Sequence, residues 1–326
     1  MSMNQPTCFP VLKACQLDTQ PAQESWLINN LWGREAVGVI GGAPKCGKSW
    51  LGLDMAISVA SGSSCLDHFG VEITGPTLIY LAEDSLPAVR NRVHAICLHR
   101  GLMIQALPLY VITAPMLRID LESHQTRLHA TLATIKPQLL LLDPLVRLHR
   151  GDENSSADIS RILGFLREVQ RIHHTAVVLV HHASKKQRSQ PGQALRGSSD
   201  LHAFGDSNLY LARRKKQLTL TFEHRCAKPP DPLTLQLVSR SDGSATHLEV
   251  RKNTVDTKQS LDQRILSILQ HQPAPLTRTA LRTRLKVNNQ RLGDALLDLE
   301  RRRLAGRNGQ GWISLSELTG TQKTLF

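Results

Sequence analysis

Five short runs of almost uninterrupted apolar residues punctuate the first 180 positions: Ala36–Ile40, Thr77–Leu81, Leu107–Ile112, Leu139–Leu142 and Ala176–Val180. A strand that is apolar on both sides is buried on both faces, as in a parallel sheet covered by helices. Between the runs lie stretches with helical spacing, at 48–60, 86–100, 123–135 and 157–174. This alternation predicts an α/β fold with a mainly parallel twisted sheet. Four later segments, Leu209–Leu211, Leu218–Phe222, Leu233–Leu237 and Thr246–Val250, predict antiparallel strands that extend the sheet.

The pattern changes at both ends. Residues 1–35 hold three prolines and little periodicity and read as an irregular lead-in, with Trp26, Leu27, Ile28, Leu31 and Trp32 docking on the core. Residues 36–250 form the α/β unit, and 251–258 (RKNTVDTK) a polar linker. Residues 259–326 read as a small basic domain and tail. Ser260 with Gln263 suggests a capping box before the apolar face Leu261, Ile265, Ile268 and Leu269. Pro273 and Pro275 end that helix. A short helix follows Thr277, and a longer one with Leu292, Leu296 and Leu299 in register follows Asn288. Arg307-Asn308-Gly309 then reads as a hairpin turn. Three helices and a hairpin give a winged helix-turn-helix-like arrangement.

Composition narrows the field. The 326 residues carry a net charge of +13, and the excess is uneven: residues 251–326 hold 14 Lys/Arg against 6 Asp/Glu. A polyanion partner near the C-terminus accounts for this, and so does a solvated basic face. Aromatic residues are only 4%, which argues against a base-stacking surface of the kind single-strand binders use. No apolar run is long enough to cross a membrane, and the N-terminus lacks the pattern of a signal peptide, so the chain is expected in the cytoplasm with no membrane partner. The six cysteines form no CxxC pair, so neither a zinc site nor a disulfide framework is expected.

The strongest chemical signal is Gly42-Ala43-Pro44-Lys45-Cys46-Gly47-Lys48-Ser49, which fits G-x-x-x-x-G-K-[ST] between a predicted strand and a predicted helix. In such a loop backbone N–H groups curl around phosphate oxygens, aided by the helix N-terminus. The segment Gly42–Trp50 is thus the candidate ATP site, with Lys48 on the β- and γ-phosphates and Ser49 on Mg²⁺. Asp143 ends an apolar strand, where a Walker B carboxylate would hold the same ion. Glu83 and Asp84 end another strand; either can polarise water or cap the helix that follows. His181 and His182 follow the strand 176–180, as phosphate sensors or as structural histidines. The polar stretches Arg150–Ser156 and Ser184–Gly192 fall where an open sheet places ligand-contacting loops.

Taken together, Gly42–Ser49, Gly75–Asp84 (GPTLIYLAED), Leu139–Leu145, Val180–Lys185 (VHHASK) and Arg196–Ser199 (RGSS) resemble the RepA-like AAA ATPases of the RecA fold, relatives of hexameric plasmid replicative helicases and of the DnaB class. The resemblance spans roughly residues 25–240 and implies a RecA-like P-loop domain that hydrolyses ATP with Mg²⁺. It implies Glu83 as the catalytic glutamate, Asp143 as the Walker B carboxylate and His182 as the link between γ-phosphate and DNA loops. It further implies Arg196 as the arginine after the mobile loop and Arg225 as a finger reaching a neighbouring subunit's nucleotide. Arg213 and Arg214 compete with Arg225 for that last role.

The resemblance implies a homo-oligomer, a hexameric ring, acting on single-stranded or duplex DNA as a helicase or translocase in plasmid or mobile-element replication. The added C-terminal unit departs from a bare RecA-like helicase and raises the alternative of an ATP-switched DNA-binding regulator or adaptor. In that unit Asn288, Asn289, Gln290 and Arg291 open the long helix, Arg301–Arg303 close it, and Arg307 sits in the hairpin. Amides and arginines there suit base and phosphate contacts. The arginine run also suits a helix C-terminus without DNA.

Overall fold

The computed structural model describes residues 11–16, 26–152, 155–182, 199–214, 217–239, 245–251, 261–272, 274–285 and 287–315. The chain divides into two compact units, Met1–Arg251 and Lys252–Phe326.

After a short 3-10 turn at Ala14–Gln16, the first strands of the first unit form a hairpin, β1 (Trp26–Ile28) and β2 (Trp32–Gly33), where the sequence suggested irregular chain. Leu27, Ile28, Leu31 and Trp32 are buried as their clustering predicted. The elements that follow are β3 (Val37–Gly42), α1 (Lys48–Ser61), β4 (Thr77–Leu81), α2 (Leu86–Arg100), β5 (Leu109–Val111), α3 (Glu122–Ile135), β6 (Leu139–Asp143), α4 (Ser156–His173), β7 (Ala176–His182) and α5 (Ser199–Phe204). Four further strands are β8 (Ser207–Arg214), β9 (Gln217–His224), β10 (Leu233–Val238) and β11 (His247–Val250).

Nine of these strands form one sheet in the order β11-β10-β9-β8-β3-β7-β6-β4-β5. From β8 to β5 every neighbouring pair is parallel, and β9, β10 and β11 extend the β8 edge antiparallel. Strand periodicity of two sorts the apolar runs onto two faces. Leu139, Leu141, Val178 and Val180 pack beneath α1 and α2, while Leu140, Leu142, Val177 and Leu179 pack beneath α3 and α4. Both faces are covered, which is why the strands read as continuous apolar runs. The order also separates β3 from β4, its successor in the chain, by β7 and β6, so the crossover through α1 spans the middle of the sheet. Ligands of open α/β sheets bind outside the C-terminal ends of such strands.

The second unit holds α6 (Leu261–Gln270), α7 (Arg278–Leu285), α8 (Asn289–Arg301) and the hairpin β12 (Ala305–Asn308) and β13 (Gly311–Ser314). Its own core gathers Ile265, Leu269, Leu281, Leu285, Leu292, Leu296 and Leu299. Asn288 caps α8, its side chain accepting from Arg291 N at 2.8 Å. The proposed Ser260 cap lies outside the described residues. No helix among the described residues is long and apolar enough to cross a membrane.

Candidate active site

Strand β3 ends in Gly41-Gly42 and the chain turns at once into the loop that leads to α1. The turn needs its glycines at two places. Gly47, at φ 92°, adopts the left-handed conformation that costs other residues energy. A Cβ on Gly42 would collide with the Leu211 carbonyl and with Cys46 Sγ. The Lys48 side chain folds back into this loop, its ammonium donating to Gly42 O at 3.0 Å and Ala43 O at 2.8 Å. Lys48 is 4% exposed. Burial draws its ammonium below the usual lysine range, against the opposing pull of Cys46, Asp143 and Glu83. Burial pushes the Cys46 thiol up, with Lys48 acting the other way, so the thiol remains protonated at neutral pH. That suits packing rather than nucleophilic chemistry.

The neighbouring strands bring the other groups to the same end of the sheet. Gly42 lies beside His182 across the β3–β7 ladder, and Leu81 beside Asp143 across β4–β6. A pocket of about 370 Å³ opens there, lined by Lys45, Gly47, Lys48, Ser49, Trp50, Glu83, Asp84, Asp143 and His182 together with Arg92, Arg213 and an apolar wall of Leu218, Leu237 and Leu248. Of the sequence candidates, Gly42 and Ala43 contribute carbonyls to Lys48, and Cys46 is buried beneath the loop. Pro44 is exposed at the loop's crest. Arg196 and the segment Ser184–Gly192 lie outside the described residues.

Asp143 is 6% exposed, and burial raises its carboxyl to about 6, against a hydrogen bond from Ser49 and the charge of Lys48. Its Oδ2 atom is buried and has no hydrogen-bond partner among the described residues. A buried carboxylate oxygen with an open lone pair beside a serine hydroxyl is a donor set of hard oxygens, which fits Mg²⁺.

The two carboxylates after β4 are held apart. Arg147 Nε donates to Glu83 Oε1 at 2.9 Å, whereas Arg92 Nη1 meets Asp84 Oδ2 at 2.5 Å. The Arg92 guanidinium also lies over the Trp50 ring, 5.7 Å from its centre. Neither carboxylate caps α2; Ser85 does, accepting from Ala88 N. Arg92 and the wall of Leu218, Leu237 and Leu248 were not anticipated from sequence, because neither short-range spacing nor composition marks a residue that arrives through tertiary packing.

The arginine candidates separate along the sheet. Arg213 reaches the pocket from the P-loop end of β8. Arg225 stands at the other end: it pairs with Asp206, whose backbone N–H donates to Val37 O at the start of β3. Val37 and Gly42 are five residue steps apart along β3, or about 17 Å. Arg225 Nη2 also donates to Ala203 O at 2.8 Å, so the structure does not bring it to this chain's own pocket.

A P-loop, a buried strand-end carboxylate and a second carboxylate converging at the C-terminal edge of a RecA-like sheet define an ATP-hydrolysing P-loop NTPase. Residues 4–188 match the family described as "AAA domain", more than half of the chain, and the protein belongs to that family. Its structure is similar to that of a DnaB-like replicative helicase at 15% identity, with a TM-score of 0.50, covering 63% of this chain and 57% of that one. Another similar structure is that of the RadB recombinase, at 18% identity and a TM-score of 0.46, covering 63% of this chain and 88% of that one. At 15% identity the likeness to the DnaB-like helicase is one of fold alone.

Proposed function

We propose that the protein is a Mg²⁺-dependent ATPase that couples turnover to DNA as an oligomeric RepA-like helicase or translocase of a plasmid or mobile element. The observation that carries the reading is the convergence of Lys48, Ser49, Glu83, Asp143 and His182 on one pocket. In this reading Lys48 leaves the loop carbonyls for the β- and γ-phosphates. Ser49 and Asp143 would hold Mg²⁺, which when bound would supply neutralisation of the charge that develops on the phosphates. Glu83 orients the attacking water, and His182 stands one strand away from the loop to sense the γ-phosphate.

Arg225 suits a finger that acts in trans because it faces away from its own nucleotide, which makes hydrolysis depend on assembly, with a hexameric ring as the expected form. Such a finger raises phosphoryl-transfer rates by ~10³–10⁵. Arg196 takes the family's role after the loop 184–192.

The test is ATP hydrolysis with and without single- and double-stranded DNA, run beside particle size with a non-hydrolysable analogue and strand displacement on forked DNA. DNA-stimulated turnover with displacement supports the motor. Robust turnover without any displacement rejects it.

A second reading, an ATP-switched DNA-binding regulator, draws support from the separate core of the C-terminal unit. Here residues 259–326 are a winged-helix-like DNA reader. The contacts available for it are fewer than the sequence suggested. Asn288 is used as a cap, Asn289 Oδ1 accepts from Arg282, and Arg302 pairs with Asp262 and Asp298. Gln290, Arg291, Arg301, Arg303 and Arg307 remain exposed for DNA. Site choice that survives deletion of 259–326 rejects this reading.

A further inference from the structure

We infer that Arg147 is a positioning residue for the Glu83 carboxylate, and that the turn after Asp143 thereby fixes the spacing of the two acidic groups of the site. The inference rests on the reading of Glu83 as the water-orienting group.

The β4–β6 ladder holds the backbone only as far as Ala82, whose N–H donates to Asp143 O at 2.7 Å. Glu83 lies one residue beyond, and its side chain is 46% exposed. Nothing in the ladder selects its rotamer; the bond from Arg147 Nε does. An exposed ion pair adds little to fold stability. Orientation of a reacting group is worth far more to a rate than the same contact is to stability.

Arg147 is in turn anchored from two sides. It closes a short 3-10 turn, Leu145–Arg147, in which Arg147 N donates to Pro144 O at 3.0 Å and Leu148 N to Leu145 O at 2.9 Å. Leu145 and Leu148 are fully buried. From the far side Arg118 Nη1 donates to Arg147 O at 2.8 Å and His149 O at 2.7 Å, and Ile119 N donates to Leu148 O at 2.7 Å. The guanidinium therefore springs from backbone that cannot drift relative to Asp143, four residues earlier.

The arrangement also assigns roles to two adjacent carboxylates. Asp84 is drawn to Arg92 on α2. Glu83 is drawn to the Asp143 turn, and only its Oε1 is engaged among the described residues. Oε2 keeps its lone pairs for a water and, later, for that water's proton. Arg147 supplies a planar N–H donor and a positive charge. Its part is geometric and electrostatic.

The test uses full-length protein in steady-state ATP hydrolysis with magnesium. Arg147→Ala is expected to lower kcat by ~10–100-fold, with the affinity for a non-hydrolysable ATP analogue within about twofold of wild type. Arg147→Lys should recover part of the loss, since it keeps the charge without the planar N–H fork. Glu83→Gln should leave only a slow residual turnover, and adding Arg147→Ala to it should not lower that residual rate further, as for two residues acting through one contact. Turnover of Arg147→Ala equal to wild type, with Glu83→Gln at its slow residual rate, overturns the inference and leaves the role of Glu83 standing. Equal losses in analogue affinity and kcat overturn it as well, by making Arg147 a structural residue. A fully active Glu83→Gln enzyme instead removes the reading of Glu83 itself.

Discussion

The Lys48 ammonium sits 3.0 Å from the Gly42 carbonyl and 2.8 Å from that of Ala43. The ammonium is thus held inside the loop, and in the proposed reading a nucleotide would exchange these carbonyl oxygens for phosphate oxygens. Lys48→Ala is expected to cut hydrolysis by at least ~10²–10³-fold and to weaken ATP binding, measured by phosphate release and calorimetry. A variant turning over at a tenth of the wild-type rate would remove this loop from the mechanism.

Asp143 supplies a pH dependence. Its carboxyl titrates near 6 in the folded chain because of burial, above its ordinary value of 3.8. In the reading that Asp143 holds Mg²⁺, binding needs the ionised form, so hydrolysis at sub-saturating magnesium should fall as pH drops through about 6. Stability of the nucleotide-free protein runs the opposite way. The folded state binds the proton more tightly than the unfolded state, so this group's contribution is largest below 3.8 and is lost as pH rises through about 6. The ionised carboxylate then costs on the order of 3 kcal/mol at neutral pH. Asp143→Asn should raise the melting temperature at pH 7.5 while abolishing activity. A variant no more stable than wild type would show that the buried charge is fully compensated.

Arg100 and Asp54 form an ion pair between α2 and α1 at 2.6 Å, with side-chain exposures of 4% and 2%. Asp54 Oδ1 also accepts from Leu66 N at 2.8 Å. Arg100→Ala leaves a carboxylate buried without its countercharge and should destabilise the first unit by about 3–5 kcal/mol. Denaturant unfolding would register this as a lowered midpoint, whereas a loss under about 1 kcal/mol would mean that water reaches Asp54.

Leu296 is 1% exposed in the core of the second unit. Leu296→Ala is expected to destabilise that unit by about 2–5 kcal/mol and to leave ATP hydrolysis in the absence of DNA within about twofold of wild type. A parallel loss of basal ATPase activity would contradict the independence of the two cores.

Much of the sheet could be read from the chain because its strands are buried on both faces: Thr77–Leu81 occurs with the very bounds its patterning predicts, as does the helix Leu86–Arg100. The hairpin Trp26–Gly33 could not, since two- and three-residue strands are too short to establish a period of two. The P-loop was likewise legible, because its chemistry is confined to eight consecutive residues. Arg147 and Arg92 were not, because each acts through a contact to a carboxylate separated from it in sequence, by 64 and 8 residues respectively.

The sequence alone determined the α/β class, the phosphate loop and the strand-end position of Asp143, since each depends on local patterning or on residues in one stretch. The tertiary structure decided which carboxylate faces which arginine, that Arg213 rather than Arg225 shares the chain's own pocket, and that three leucines from the antiparallel strands wall it. Those outcomes follow from strand order, and strand order is set by the packing of whole helices on a sheet, which no local run of residues encodes.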